Sequence, residues 1–261
     1  MSELYPTDPI QYLGVLTVFL RVLGLFLLVP VFSHKAIPMT VKVILALSFS
    51  LALHPVVRPH LETITPNIAT LAWTALRETL IGLAMGFVAH LTFEAINLGA
   101  HFVGFQMGFG TATLLDPQAG AQVSVVTPFQ GWLALLVFLL ADFHHGVLIV
   151  FVKSFEVTAH LNALVAGHTS ALQFLITATG KLFVLSVQMA APFTFIMLAC
   201  NILVGLLSRL LPQMNILLFS FPITITLGLG AMYLLAPEML EYFEQILGDV
   251  SGNLVELLRT A

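Results

Sequence analysis

The stretch IQYLGVLTVFLRVLGLFLLVPVF, Ile10 to Phe32, decides the fold. It carries no charge except at Arg21, near its middle. A helix needs about 20 predominantly apolar residues to cross a bilayer, so the stretch is long enough to span. An arginine at that depth costs about 2.5–3.5 kcal/mol on insertion scales and turns toward protein or a wet path. The run therefore reads as a membrane helix with one face given to protein or to a pore.

The rest of the chain repeats the pattern. Of 261 residues, 59% are hydrophobic and 8% charged, with mean hydropathy +1.02. A soluble domain carries about 25% charged residues, which excludes that class. The apolar runs are continuous, whereas strands of a membrane barrel alternate apolar and polar residues. A net charge of −4 offers no basic surface for nucleic acid. The single cysteine, Cys200, lies in an apolar run and reads as a packing residue. MSELYPTDPIQ has acids but no Lys or Arg before the first apolar run, the wrong flank for a cleavable signal. That run is expected to remain as a first membrane helix.

About six hydrophobic units follow, which makes the chain an all-α integral membrane protein. They are Ile10–Phe32, Val43–Val57, Ile68–Val103, Phe129–Val152, Ala171–Leu207 and Ile216–Ala236. The third and fifth are too long for one straight span. Pro192 and Pro222 lie inside the fifth and sixth, so several units are expected to be kinked or broken. The tail from Pro237 to Leu258 places Leu240, Phe243, Leu247, Val250, Leu254 and Leu257 at helical spacing. Glu238, Glu241 and Glu244 suit its amino-terminal dipole. By the positive-inside rule, Lys35, Lys42 and Arg209 favour the cytoplasm for their connections. Arg58, Lys153 and Arg259 oppose them, and both termini are expected outside.

Six charged residues fall inside apolar units: Arg21, Arg77, Glu78, Glu94, Asp142 and Lys181. Three are basic and three acidic. Interhelical ion pairs, the polar walls of a hydrated path and a proton or substrate relay all fit that count, and spacing alone does not pair them. Gly82 and Gly86 form a GxxxG pair, as do Gly104 and Gly108, which lets helix backbones approach closely. Nine histidines include adjacent His144 and His145, which do not make an i, i+4 pair. There is no HExxH, P-loop or nucleophile motif, so no metal site, cofactor or enzymatic activity is expected.

The connection GAHFVGFQMGFGTATLLDPQAGAQ, Gly99 to Gln122, is rich in glycine and too apolar to lie in open water. Irregular backbone at membrane depth belongs inside protein or beside a wet cavity. Flexible apolar side chains such as Met107, with Phe109, Leu114 and Leu115, can seal a channel by dewetting. A packed re-entrant loop is the plainer alternative.

Three blocks in order carry a family resemblance: RVLGLFLLVPVFSHKAIPMTVK (Arg21 to Lys42), RETLIGLAMGF (Arg77 to Phe87) running on to GFQMGFGTATLLDPQAGAQ (Gly104 to Gln122), and GLLSRLLPQMNILLFSFPITITLGLG (Gly205 to Gly230). Over nearly its whole length the chain resembles the FliR family of the flagellar type III protein export gate, related to SctT of injectisomes. The resemblance implies partners of the FliP, FliQ and FlhB types, and a channel in the bacterial inner membrane at the flagellar basal body. Unfolded flagellar proteins pass through that channel. Residues 1–170 would be a FliP-like part, 171–236 a FliQ-like hairpin and 237–261 an amphipathic C-terminal helix. A plug would map to about Gln106–Gln122, shaped by Gln106, Met107, Gly108, Phe109, Gly110, Leu114, Leu115, Asp116 and Pro117. Subunit packing would fall to Arg21, Lys35, Lys42, Arg77, Glu78, Gly82, Gly86, Arg209, Pro212 and Gln213. Energy would come from an ATPase and the proton motive force, outside this chain. The rival reading is a self-contained secondary transporter with Arg77, Glu78 and Asp142 as an ion relay. It calls for inverted repeats, and no convincing halves are present.

Overall fold

The computed structural model of the chain describes residues 9–34, 37–61, 67–109, 124–157, 169–210 and 216–260. Every regular element among them is helical: α1 (Pro9–Leu28), α2 (Pro30–Ser33), α3 (Met39–Val57, followed by the 3-10 turn Arg58–His60), α4 (Ile68–Gln106), α5 (Val126–Leu140), α6 (Phe143–Lys153), α7 (Thr169–Leu210), α8 (Ile216–Leu234) and α9 (Ala236–Thr260). Three helices are long and apolar enough to cross a membrane, or up to five spans if two bent pairs, α5 with α6 and α8 with α9, each count as one. The chain is an all-α membrane protein.

The unit breaks differ from expectation at two places. Ile10–Phe32 is not one helix. It stops at Val29, whose extended backbone (ψ 123°) hands over to Pro30, and proline starts a helix more readily than it continues one. Phe129–Val152 is split at Asp142, the one described non-glycine residue with positive φ, 58°. A left-handed residue cannot continue a right-handed helix, and Asp is among the few types that tolerate that conformation. By contrast, α4 and α7 each run unbroken, for 39 and 42 residues, and α7 does so through Pro192.

Two compact units divide the chain: residues 1–91 with 142–179 and 248–261, and residues 92–141 with 180–247. In the first, α1 packs on α3, with Phe26 between Phe32 (4.0 Å, stacked) and Phe49 (5.4 Å, edge-on). In the second, Phe93 and Phe138 meet edge to face at 5.2 Å. There Ser186 Oγ of α7 donates to the Ala95 carbonyl of α4 at 2.8 Å. Tyr242 of α9 donates toward the Leu185 carbonyl (3.2 Å) and Gln188 Oε1 (3.1 Å) of α7. The tail helix α9 is amphipathic as its spacing predicts. It buries Met239, Phe243, Ile246, Leu247, Val250, Leu254 and Leu257 and exposes Glu238, Glu241, Glu244, Asp249 and Glu256. Leu240 departs from that pattern and is exposed.

Candidate functional site

Arg21, midway along α1, is fully buried. Its Nε donates to Glu78 Oε2 at 2.6 Å, and its Nη2 lies 2.6 Å from the same oxygen. Its Nη1 donates to Ser154 Oγ at 2.8 Å, and that hydroxyl donates in turn to the Phe151 carbonyl at 2.6 Å. The Phe155 ring covers the guanidinium, 3.8 Å from Cζ to the ring centroid, a favourable cation–π placement. The other carboxylate oxygen of Glu78 accepts from Arg77 Nε (3.2 Å) and Nη2 (3.0 Å). One buried carboxylate thus serves two guanidiniums. The Arg21 guanidinium ties α1 to Glu78 of α4 and to Ser154 and Phe155 in the turn after α6, all in the first unit. The remaining charges of the apolar units stand apart from this cluster: Glu94 is partly exposed and accepts from Asn97 Nδ2 at 3.4 Å, while Lys181 and Asp142 are exposed.

The glycines explain how α1 and α4 come close enough. A Cβ on Gly82 would strike the Arg21 carbonyl of α1. On Gly86 it would lie 2.9 Å from Leu28 Cβ and 3.0 Å from the Leu25 carbonyl, and on Gly24 2.8 Å from the Thr79 carbonyl. The first GxxxG pair therefore meets a helix of the same chain. Gly24 completes the crossing and went unremarked in the sequence. The second pair does not act as one surface. Gly104 faces Ser124, whereas Gly108 lies beyond the end of α4 with φ +96° and faces Phe221 (3.4 Å) and Thr224 (3.5 Å).

Of the residues assigned to the glycine-rich connection, the described ones are held rather than loose. Gln106 Nε2 donates to Thr194 Oγ1 at 2.8 Å. Met107 is fully buried against Gly228, and its carbonyl lies 3.1 Å from Thr224 Oγ1. Phe109 lines an apolar cavity of about 680 Å³ with Val126, Phe129, Met232 and Phe243. Gly110, Leu114, Leu115, Asp116 and Pro117 lie outside the described residues, as do Lys35, Pro212 and Gln213. Lys42 donates to the Ser33 carbonyl at 3.0 Å and braces the α2–α3 connection. Arg209 is exposed in the last turn of α7, where a cation suits the helix dipole.

Ser154, Phe155, Thr194, Thr224 and Gly228 carry no motif, and their partners lie many residues away in the chain. For Thr194, Thr224 and Gly228 only a small or polar character inside apolar runs hinted at close helix contacts, and Ser154 and Phe155, just past the fourth run, gave no signal. The adjacent histidines do converge with a carboxylate: His145 Nδ1 and His144 Nε2 lie 3.3 and 4.0 Å from Asp142 Oδ1 at the α5–α6 break. Three potential ligand atoms come within 4.8 Å of one another there. Asp142 and His145 are exposed, and an exposed carboxylate beside histidines needs no ion to be stable.

The family described as "Bacterial export proteins, family 1" matches residues 12–250. Flagellar biosynthetic protein FliR of Pectobacterium carotovorum subsp. carotovorum is 32% identical over 242 residues, 92% of this chain and 90% of the relative. The protein of that name from Escherichia coli (strain K12) is 28% identical over the same shares of each chain. The one from Bacillus subtilis (strain 168) is 28% identical over 215 residues, 82% of each.

Proposed function

The chain belongs to the bacterial export protein family 1, and on that footing we propose that it is a structural, non-enzymatic subunit of the flagellar type III protein export gate in the bacterial inner membrane, at the flagellar basal body. Its partners are proteins of the FliP, FliQ and FlhB types. Unfolded flagellar proteins cross through the channel they form together. Residues 1–170 serve as the FliP-like part, 171–236 as the FliQ-like hairpin and 237–261 as the tail. The connection Gln106–Gln122 closes the channel, with Gly110, Leu114, Leu115, Asp116 and Pro117 shaping it. Lys35, Arg209, Pro212 and Gln213 contact neighbouring subunits.

The length of α7 carries this reading. Its apolar part, Gln173–Leu210, has 38 residues, which at 1.5 Å per residue is about 57 Å. The hydrocarbon core is about 30 Å thick. At a tilt of about 40°, the upper end for membrane helices, such a rod still projects about 44 Å. Yet only 22% of its most apolar window is buried within this chain, and Ile176, Phe195 and Leu210 are each more than 70% exposed. Bare leucine and phenylalanine beyond the hydrocarbon would face water, so protein partners must cover part of the helix. A monomeric transporter has no such cover to offer.

Co-expression with FliP- and FliQ-type proteins of the same bacterium, followed by imaging, tests the proposal. A ring holding a single copy of this chain is expected. So is loss of flagellar proteins from the medium when its gene is deleted. A stable monomer that drives ion-coupled solute uptake in liposomes would overturn it.

A further inference from the structure

The seam between α4 and α5 lies wholly within the second unit, and its two halves are built differently. The helices run antiparallel along it. A Cβ on Gly104 of α4 would strike Ser124 Oγ, and one on Gly131 of α5 would lie 3.0 Å from Asn97 Oδ1. Farther along, Phe93 meets Phe138 at 5.2 Å between ring centroids. The stripe that α5 buries is Val126, Gln130, Ala134 and Phe138, the i, i+4 spacing of one helix face. Beyond Gln130 that stripe is apolar. Before it, polar side chains collect: Ser124, Thr127 and Gln130 follow one another at intervals of three residues. Ser124 Oγ, Thr127 Oγ1 and both Gln130 amide atoms are shut off from solvent, and none has a hydrogen-bond partner among the described residues. Gln130 is fully buried. Its amide offers two donors and an acceptor, and each hydroxyl offers one donor and an acceptor oxygen. Buried polar groups are nearly always paired in native proteins, and leaving one unpaired costs more than a made bond contributes. Parting the helices by the width of a water molecule would satisfy all of these groups near Gln130. Near Phe138 the same movement would only expose hydrocarbon. Opening is therefore least costly at the end where α5 begins.

We propose that the Ser124–Gln130 half of this seam is a water-binding site: α5 parts from α4 there and admits ordered water, which Gln130, Thr127 and Ser124 hold, while the Ala134–Phe138 half stays closed. The inference does not depend on the export-gate reading. It differs from a packing role in one respect. The amide of Gln130, and not its bulk, draws the water in, so an apolar side chain of the same length closes the seam.

Cysteine accessibility in native membranes tests it, with Cys200 replaced by alanine and labelling followed on this chain by mass. A small water-soluble thiol reagent should modify Thr127→Cys and should leave Ala134→Cys, at a position 1% exposed, untouched. Adding Gln130→Met, which keeps the side chain's length and removes its amide, should slow modification of Thr127→Cys by roughly five- to hundredfold, the effect of one buried polar group without a partner. The thermal midpoint of the solubilised assembly should rise in Gln130→Met and in Gln130→Leu, since the closed seam then holds no unpaired amide. Absence of modification at Thr127→Cys, a rate that Gln130→Met leaves unchanged, or equal modification at Ala134→Cys each overturns the inference. A lowered midpoint or failure to assemble in both Gln130 variants overturns it as well, because the amide is then paired in the closed seam.

Discussion

Glu78 is the residue on which the buried cluster turns. It faces Arg21 on one oxygen and Arg77 on the other, so its loss leaves two guanidiniums without their shared counter-ion. Removing one partner of a buried pair costs about 3–5 kcal/mol, because the remaining charge stays desolvated. Arg21→Met, by contrast, fills the volume and leaves Arg77 with Glu78. Glu78→Ala should therefore lower the thermal midpoint of the purified assembly more than Arg21→Met does. The order of the two midpoints checks this, and an equal or smaller loss for Glu78→Ala would contradict the shared-carboxylate account. The sequence made the burial of Arg21 legible from its place in an uncharged run. It did not make the partner legible. Three bases and three acids allow several pairings, and Glu78 is 57 residues from Arg21. Thr224 was harder still: one threonine in ITIT differs in nothing but its register from its neighbour Thr226.

At the scale of elements, the glycine spacing was readable and its target was not. GxxxG announces that some backbone comes close; which helix arrives depends on long-range packing. Gly82 and Gly86 meet α1 of their own chain, with Gly24 opposite. Gly82→Leu should accordingly disrupt the first unit itself and reduce the yield of folded chain even when no partner is present. Gly180→Leu, at a position with nothing within 4 Å, should be tolerated. Comparable yields for the two variants in size-exclusion profiles would argue against the α1–α4 crossing. The α5–α6 break was hard to read for a different reason. It depends on a single left-handed residue, Asp142 at φ 58°, and the polar residues Asp142, His144 and His145 mark the place without fixing the backbone conformation. Asp142→Val should destabilise by about 1–2 kcal/mol, the cost of a left-handed backbone for an ordinary L-residue. Asp142→Gly should stay within about 1 kcal/mol, since the conformational gain is offset by a freer unfolded chain. Chemical unfolding of the two variants side by side would show the contrast, and equal loss in both would mean that the carboxylate, not the backbone, matters there.

At the scale of the whole molecule, hydrophobicity states that a segment avoids water but not what shelters it. That is why α4 and α7 read as overlong units without revealing that each is one continuous rod. Pro192 was a fair sign of a break in α7, but tertiary packing overrode the local preference; Phe193 and Met197 just after it are fully buried. The rod makes a definite demand on its surroundings. Ile176 and Leu210 lie about 50 Å apart along a continuous helix, and about 30 Å of hydrocarbon cannot hold both. Cysteines placed singly at these two positions, with Cys200 replaced, should behave oppositely in the assembled gate. A photoreactive probe confined to the acyl chains should label no more than one of them. On the proposed reading, in which partner protein rather than lipid covers it, the other should be shielded from a water-soluble thiol reagent in the assembly and reactive in the isolated chain. Labelling of both from the acyl phase would require the bilayer to wrap the entire helix, and the case for a partner-covered subunit would then fail at its base.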